Sequence, residues 1–355
     1  MVSLQLAHGF ILTVVAGSAT GLSIVPIKWA RHWQWENFWL LYTLVSLLIV
    51  PVTVAWVTCP NLWTAYASLP LQAFMKPLLF GALWGLAYLG AGLCTHRLGF
   101  ALQGAVIGGV GTATGTLIPL LLQHAHMAFQ LSGILILVGT GAALSGVGLC
   151  GWAGYHREQL SNELGRGAGF SPEQTAMSQA KPTRKNYVVM VVVAVMSGLF
   201  AAFMNLALAY GGDITARMQE AGAAPQWAPF AVWPVAFLGG SLVNLTYIFF
   251  RLSRNRSWRG FGGGPKEILN PVLSACMWLG GVLLYSSATT YLGVLGVSIG
   301  FALFFVILML CGQLMAVFTG EWRQVPAGIS SKFAAGIALL FLAVFTFGIA
   351  NYYSS

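Results

Sequence analysis

The sequence predicts an all-α polytopic membrane protein: ten transmembrane helices arranged as two inverted repeats of five, with both termini outside. Three observations predict it. The chain of 355 residues is 57% hydrophobic and only 7% charged, where a soluble protein carries about 25% charged residues. Ten apolar segments, most about 20 residues long, match the length of helix that spans a bilayer. The basic residues alternate from loop to loop in step with those segments.

The segments lie near 7–27, 37–58, 71–93, 100–122, 130–150, 188–210, 229–250, 269–291, 294–317 and 333–353. The loop after the first holds Lys28 and Arg31, and the loop after the third holds Arg97. Arg157, Arg166, Lys181, Arg184 and Lys185 follow the fifth, and Arg251, Arg254, Arg256, Arg259 and Lys266 follow the seventh. Arg323 and Lys332 follow the ninth. Of the 17 Lys and Arg, only Lys76 and Arg217 fall on the other side. Short basic loops stay in the cytoplasm, so the odd-numbered loops are cytoplasmic. Removing any one helix would scramble the alternation, so count and orientation support each other. Residues 1–8 hold no Lys or Arg. The basic start of a signal peptide is therefore missing, and segment 1 is expected to be a retained helix.

The net charge of +9 is the sum of these loop anchors, with some attraction to anionic lipid. It is not a nucleic-acid signal. Cys59, Cys94, Cys150, Cys276 and Cys311 lie in or beside apolar segments with no CxxC spacing, and read as small packing residues.

Residues 151–186 are polar and contain Gly165, Gly167, Gly169, Pro172 and Pro182 among charges of both signs. They read as a mobile cytoplasmic linker between a first five-helix repeat, 1–150, and a second, 187–355. An odd number of helices per half forces related halves into opposite orientations, a transporter signature. Shifting the first half by 194 residues places Trp84 on Trp278, Leu89 on Leu283, Thr95 on Thr289 and Leu98–Gly99 on Leu292–Gly293.

Ionisable groups deep in a bilayer are costly and usually functional. The eight acids are Glu36, Glu158, Glu163, Glu173, Asp213, Glu220, Glu267 and Glu321, and none lies in mid-helix. Asp213, at the outer end of segment 6, and Glu36 and Glu321, at inner ends, each read first as solvated interfacial charges. Their functional reading is gating or proton coupling. Lys28 follows Pro26 in apolar company at the end of helix 1. It either snorkels to the interface or faces the interior as part of an inner gate with Glu36.

Neutral polar side chains remain within the helices, among them Tyr42, Tyr88, Gln103, Asn205, Asn244, Tyr285 and Ser286. Each reads on its own as a helix–helix hydrogen-bonding group. Together they suit a neutral, hydroxyl-rich ligand, with aromatic faces against its C–H surfaces. Candidate substrate-binding residues are therefore Trp84, Tyr88, Asn205, Asn244, Trp278 and Tyr285, with Trp84 and Trp278 near mid-depth. Segment 4 carries Gly104, Gly108, Gly111 and Gly115, which reads as close helix packing. Gly296–Val–Ser–Ile–Gly300 fits the hydrolase GxSxG spacing, but it lies in an apolar helix rather than on a strand-to-helix turn. No HExxH or Walker pattern occurs. No enzyme activity, metal or cofactor is expected.

The stretch Pro26–Ile–Lys28–Trp–Ala–Arg–His–Trp33–Gln–Trp35–Glu36 resembles the P-x-K-x4-W-x-W-E stretch of the bacterial L-rhamnose–proton symporter (RhaT) family, in the drug/metabolite transporter superfamily. Leu79–Gly85 with Leu98–Gly99, Ala194–Phe200, Gly239–Leu245, Met277–Trp278 with Tyr285, and Glu321–Trp322 are similar to later parts of that family. The resemblance implies ten helices as inverted repeats in the bacterial inner membrane. It also implies sugar transport, most directly of L-rhamnose or a related deoxysugar, by proton symport and alternating access. The alternative is another neutral metabolite or a nucleotide-sugar, with Na⁺ coupling or none. The expected partners are a small-molecule sugar, a proton or Na⁺, and membrane lipid, with a homodimer left open and no nucleic acid.

Overall fold

The computed structural model describes residues 2–23, 25–26, 33–98, 100–123, 125–163, 184–262, 264–293, 295–318, 320 and 322–353. Among the described residues there is no strand, and ten helices are long and apolar enough to cross a membrane. We number these spans α1 (Leu4–Leu22), α2 (Trp35–Thr58), α3 (Leu71–Ala91), α4 (Gly104–Leu122), α5 (Leu131–Leu160), α6 (Val188–Glu220), α7 (Ala228–Arg254), α8 (Pro265–Thr289), α9 (Gly296–Phe318) and α10 (Ala327–Tyr353). All ten apolar segments are helical. Their ends move, because hydropathy finds the apolar centre while the helix continues wherever backbone hydrogen bonding can. The first helix runs Val2–Leu22 and stops before Pro26. The fifth runs on to Glu163, so residues 151–163, read as linker, are helical.

Two spans are interrupted. In α2 a π-helical stretch, Leu44–Ile49, separates α-helical Trp35–Thr43 from Val50–Thr58. Pro51 has no backbone N–H to donate, and the Ser46 hydroxyl donates to the Tyr42 carbonyl at 2.7 Å. π-turns of this kind collect at functional positions. The sixth span breaks near Ala202 and again near Gly211, giving helices Phe203–Ala209 and Gly212–Glu220. Pro77 lies inside α3 and Pro271 inside α8. The 194-residue shift that superposes Trp84 on Trp278 also superposes these two prolines.

The principal helix pairs are α1 with α8 and α9, α6 with α3 and α4, and α2 with α7 and α8. The others are α3 with α7, α4 with α5, α9 with α10, α4 with α9, and α5 with α10. Exchanging each helix for the one five places along turns every pair named here into another pair named here.

Lipid tails are as apolar as Leu, so burial alone does not hold such helices together; close approach of small residues does. The crossing of α3 and α7 shows it. A Cβ on Gly81 would overlap the Ala236 carbonyl, one on Gly239 would overlap that of Leu78, and one on Gly85 would come within 2.9 Å of the Gly240 carbonyl oxygen. In α4, Gly111 and Gly115 pack against α6 and α9, whereas among the described residues nothing lies within 4 Å of a Cβ on Gly104. The four glycines of segment 4 are thus not all packing positions.

Candidate functional site

The α3–α7 crossing sets the position of Trp84. A Cβ on Gly240 would sit 3.1 Å from the Trp84 ring, so glycine there lets the indole lie flat on α7. Trp84 stacks on Trp278 from α8, with centroids 5.6 Å apart and planes 20° from parallel. Phe237 of α7 touches both rings at 5.6 Å, and Trp233 stacks on Phe237 at 5.0 Å. Tyr88, one turn after Trp84, lies 5.7 Å from it.

The second span extends this cluster. Trp39 stacks on Tyr88 at 5.0 Å and on Tyr42 at 4.8 Å, and Trp35 stacks on Trp39 at 5.5 Å. Tyr42 reaches Trp278 at 6.4 Å. A continuous aromatic column therefore runs from the start of α2 to the centre of the bundle. Trp39 and Phe237 were not among the residues singled out in the sequence. For Trp39 a signal was present: Trp35, Trp39 and Tyr42 fall at i, i+4 and i+7, one face of a helix.

The remaining candidates form a second group. Tyr285, fully buried, donates its hydroxyl hydrogen to Asn205 Oδ1. Asn205 Nδ2 in turn donates to the Gly115 carbonyl at 2.8 Å. Three helices, α4, α6 and α8, are thus joined through two neutral side chains. Trp233 Nε1 donates to Ser286 Oγ at 3.1 Å, tying α7 to α8 nearby. Asn244 Nδ2 donates to the Gly240 carbonyl at 2.8 Å. Its Oδ1 is buried with no hydrogen-bond partner among the described residues. An orphaned acceptor costs about 1–3 kcal/mol, which a ligand hydroxyl can recover.

The gate candidates separate. Lys28 and Glu321 lie outside the described residues. Asp213 is exposed in the first turn of Gly212–Glu220, and it does not join the buried groups. Glu36 corrects the expectation of a solvated charge: it is 2% exposed. Its Oε1 accepts hydrogen bonds from Asn255 Nδ2 and Ser257 Oγ, both at 2.7 Å. Its Oε2 lies 3.7 Å from the Arg251 guanidinium. Beside it, Asn37 Nδ2 donates to the Ser257 carbonyl at 2.9 Å, and Trp33 Nε1 to the Gly262 carbonyl at 2.8 Å. The WxWE stretch therefore clasps the α7–α8 loop. The three loop residues it holds, Asn255, Ser257 and Gly262, could not be paired with it from sequence, because more than 200 positions separate them.

Ten apolar helices around a central cluster of stacked aromatics, amides and hydroxyls fit a multi-pass membrane transporter. The family model for the L-rhamnose-proton symport protein (RhaT) matches residues 2–351, and the chain belongs to that family. It is 26% identical over 328 residues to the L-rhamnose-proton symporter of Yersinia pestis (strain Pestoides F), covering 89% of each chain. It is 27% identical over 348 residues to that of Cronobacter sakazakii (strain ATCC BAA-894), covering 94% of this chain and 95% of the relative. The protein is thus a transporter of the bacterial inner membrane and not an enzyme.

Proposed function

We propose that this chain carries L-rhamnose together with a proton across the inner membrane by alternating access. The observation that carries the reading, beside family membership, is the Trp84–Trp278 stack at the centre of the bundle. Pyranose C–H faces pack on such rings, and the neutral amides and hydroxyls around them suit an uncharged sugar better than an ion.

In this reading residues 1–150 and 187–355 are inverted repeats, joined by a cytoplasmic segment across 151–186, and both termini lie outside. The pairing of helices, unchanged when each is exchanged for the one five along, supports it. So does the joint superposition of Pro77 on Pro271 and Trp84 on Trp278. Trp84, Tyr88, Trp278 and Asn244 hold the sugar. Asn205 and Tyr285 close the bundle on the outer side of it. Glu36 acts at the inner gate and as the proton-linked carboxylate, since it ties α2 to the α7–α8 loop and α2 carries the aromatic column. Lys28 belongs to the same gate, and Asp213 to the outer end of the path.

The test is uptake of radiolabelled L-rhamnose by cells lacking their own carrier, with external pH followed in an unbuffered suspension. Uptake with alkalinisation is expected. Uptake that follows Na⁺ without alkalinisation sinks the proton, and uptake of another neutral metabolite without L-rhamnose sinks the sugar.

A further inference from the structure

Two open pockets adjoin at the end of the bundle where α6 and α8 finish and α1 begins. One, of about 350 Å³, is lined by Leu208, Thr215, Gln219, Thr289 and Val297, and the other, of about 360 Å³, by Gln5, Gln226 and Tyr291. Thr290 lines both, and none of the lining residues is charged. Pockets of this size hold small ligands. The Asn205–Tyr285 pair lies close to the first pocket, though neither residue lines it. Leu208 lies one turn beyond Asn205, Thr289 one turn beyond Tyr285, and the Val297 carbonyl is 3.4 Å from the Tyr285 hydroxyl.

We propose that these pockets form one vestibule that captures a neutral, polyhydroxylated sugar ring before it passes the Asn205–Tyr285 pair to the tryptophans. The inference rests on the transport reading above, which places this end of the bundle outside the cell. Three features carry it. Between apolar residues such as Leu208, Pro229 and Val297, the lining offers the hydroxyls of Thr215, Thr289 and Thr290 and the amides of Gln5, Gln219 and Gln226, which can donate to and accept from sugar hydroxyls. The lack of charge leaves no reason for an ion to dwell there. And the hydrogen-bonded pair next to it, two neutral side chains on α6 and α8, is a barrier that helix movement can open without separating buried charges. Thr289 and Thr290 already donate to the carbonyls of Ser286 and Ser287, at 2.7 and 2.8 Å. Their hydroxyl oxygens are left free to accept, while Gln219 and Gln226 carry amide donors.

The experiment replaces exposed Gln219 by cysteine and labels intact cells with a membrane-impermeant maleimide, with and without saturating L-rhamnose. Gln219→Cys is expected to label from outside and to be protected severalfold by L-rhamnose but not by an equal concentration of NaCl. In parallel, Gln226→Ala is expected to raise KM for uptake about three- to tenfold, the worth of one neutral hydrogen bond, with the maximal rate kept. Transport of L-rhamnose by the unaltered chain keeps the two readings apart. Transport by Gln219→Cys with equal labelling in both conditions, or labelling only from the inner side, overturns the vestibule alone. No transport by the unaltered chain overturns the function and the vestibule with it.

Discussion

Trp84 and Trp278 stack face to face at 5.6 Å across the centre of the bundle, and their positions differ by the same 194 residues (278 − 84) that separate Pro77 from Pro271. On the repeat proposed above, such a pair would meet only near the axis relating the two halves, where an alternating-access carrier needs its site.

Replacing either indole tests this site. Trp84→Ala and Trp278→Ala are expected to abolish the rise in melting temperature given by L-rhamnose, while Trp84→Phe retains part of it, because a smaller ring still offers a face. A ligand that binds the folded state must raise its melting temperature. An unchanged shift in both alanine variants would falsify the central placement of the sugar.

The α3–α7 crossing gives a paired stability prediction. Gly81→Ala forces the helices apart, since the new methyl overlaps the Ala236 carbonyl, and its melting temperature is expected to fall steeply. Gly104→Ala meets nothing and is expected to gain up to about 1 kcal/mol from helix propensity. Thermal unfolding of the two detergent-purified variants separates them; similar behaviour would refute the crossing.

Glu36 can be dissected by size and charge. Glu36→Ala leaves the buried Ser257 hydroxyl unpaired, at about 1–3 kcal/mol for a buried orphan, while exposed Asn255 can turn to water. Arg251→Ala costs less, because that side chain is 40% exposed and exposed ion pairs contribute about 0–1 kcal/mol. Glu36→Gln keeps an acceptor but cannot ionise. It is expected to exchange sugar across the membrane while losing the external alkalinisation that accompanies uptake. Alkalinisation equal to that of the unaltered chain would remove Glu36 from coupling.

Tyr285→Phe and Asn205→Leu probe the hydrogen bond that joins α8 to α6. Hydrogen bonds between membrane helices contribute about 0.6 kcal/mol on average, and up to about 1.7. A double-mutant cycle read by thermal unfolding is expected to give coupling in that range. Near-zero coupling would mean that the bond seen here does not hold the helices.

The sequence by itself determined the class of protein, the number of spans and the residue types of the interior. Each follows from short-range or compositional physics: twenty apolar residues have to cross, and polar side chains within such helices have to find partners. It also spaced Trp84 and Trp278 194 residues apart. It did not bring them into contact, because a pattern along the chain says nothing about which helix faces fit together. That was decided by where glycine lets backbones approach, at Gly81, Gly85, Gly239 and Gly240. The same holds for Tyr285 with Asn205. For Glu36 the sequence suggested a wetted charge at a helix end. Only the folded chain shows it buried, because the residues that satisfy it, Asn255, Ser257 and Arg251, come from the end of α7 and the loop after it, five helices away.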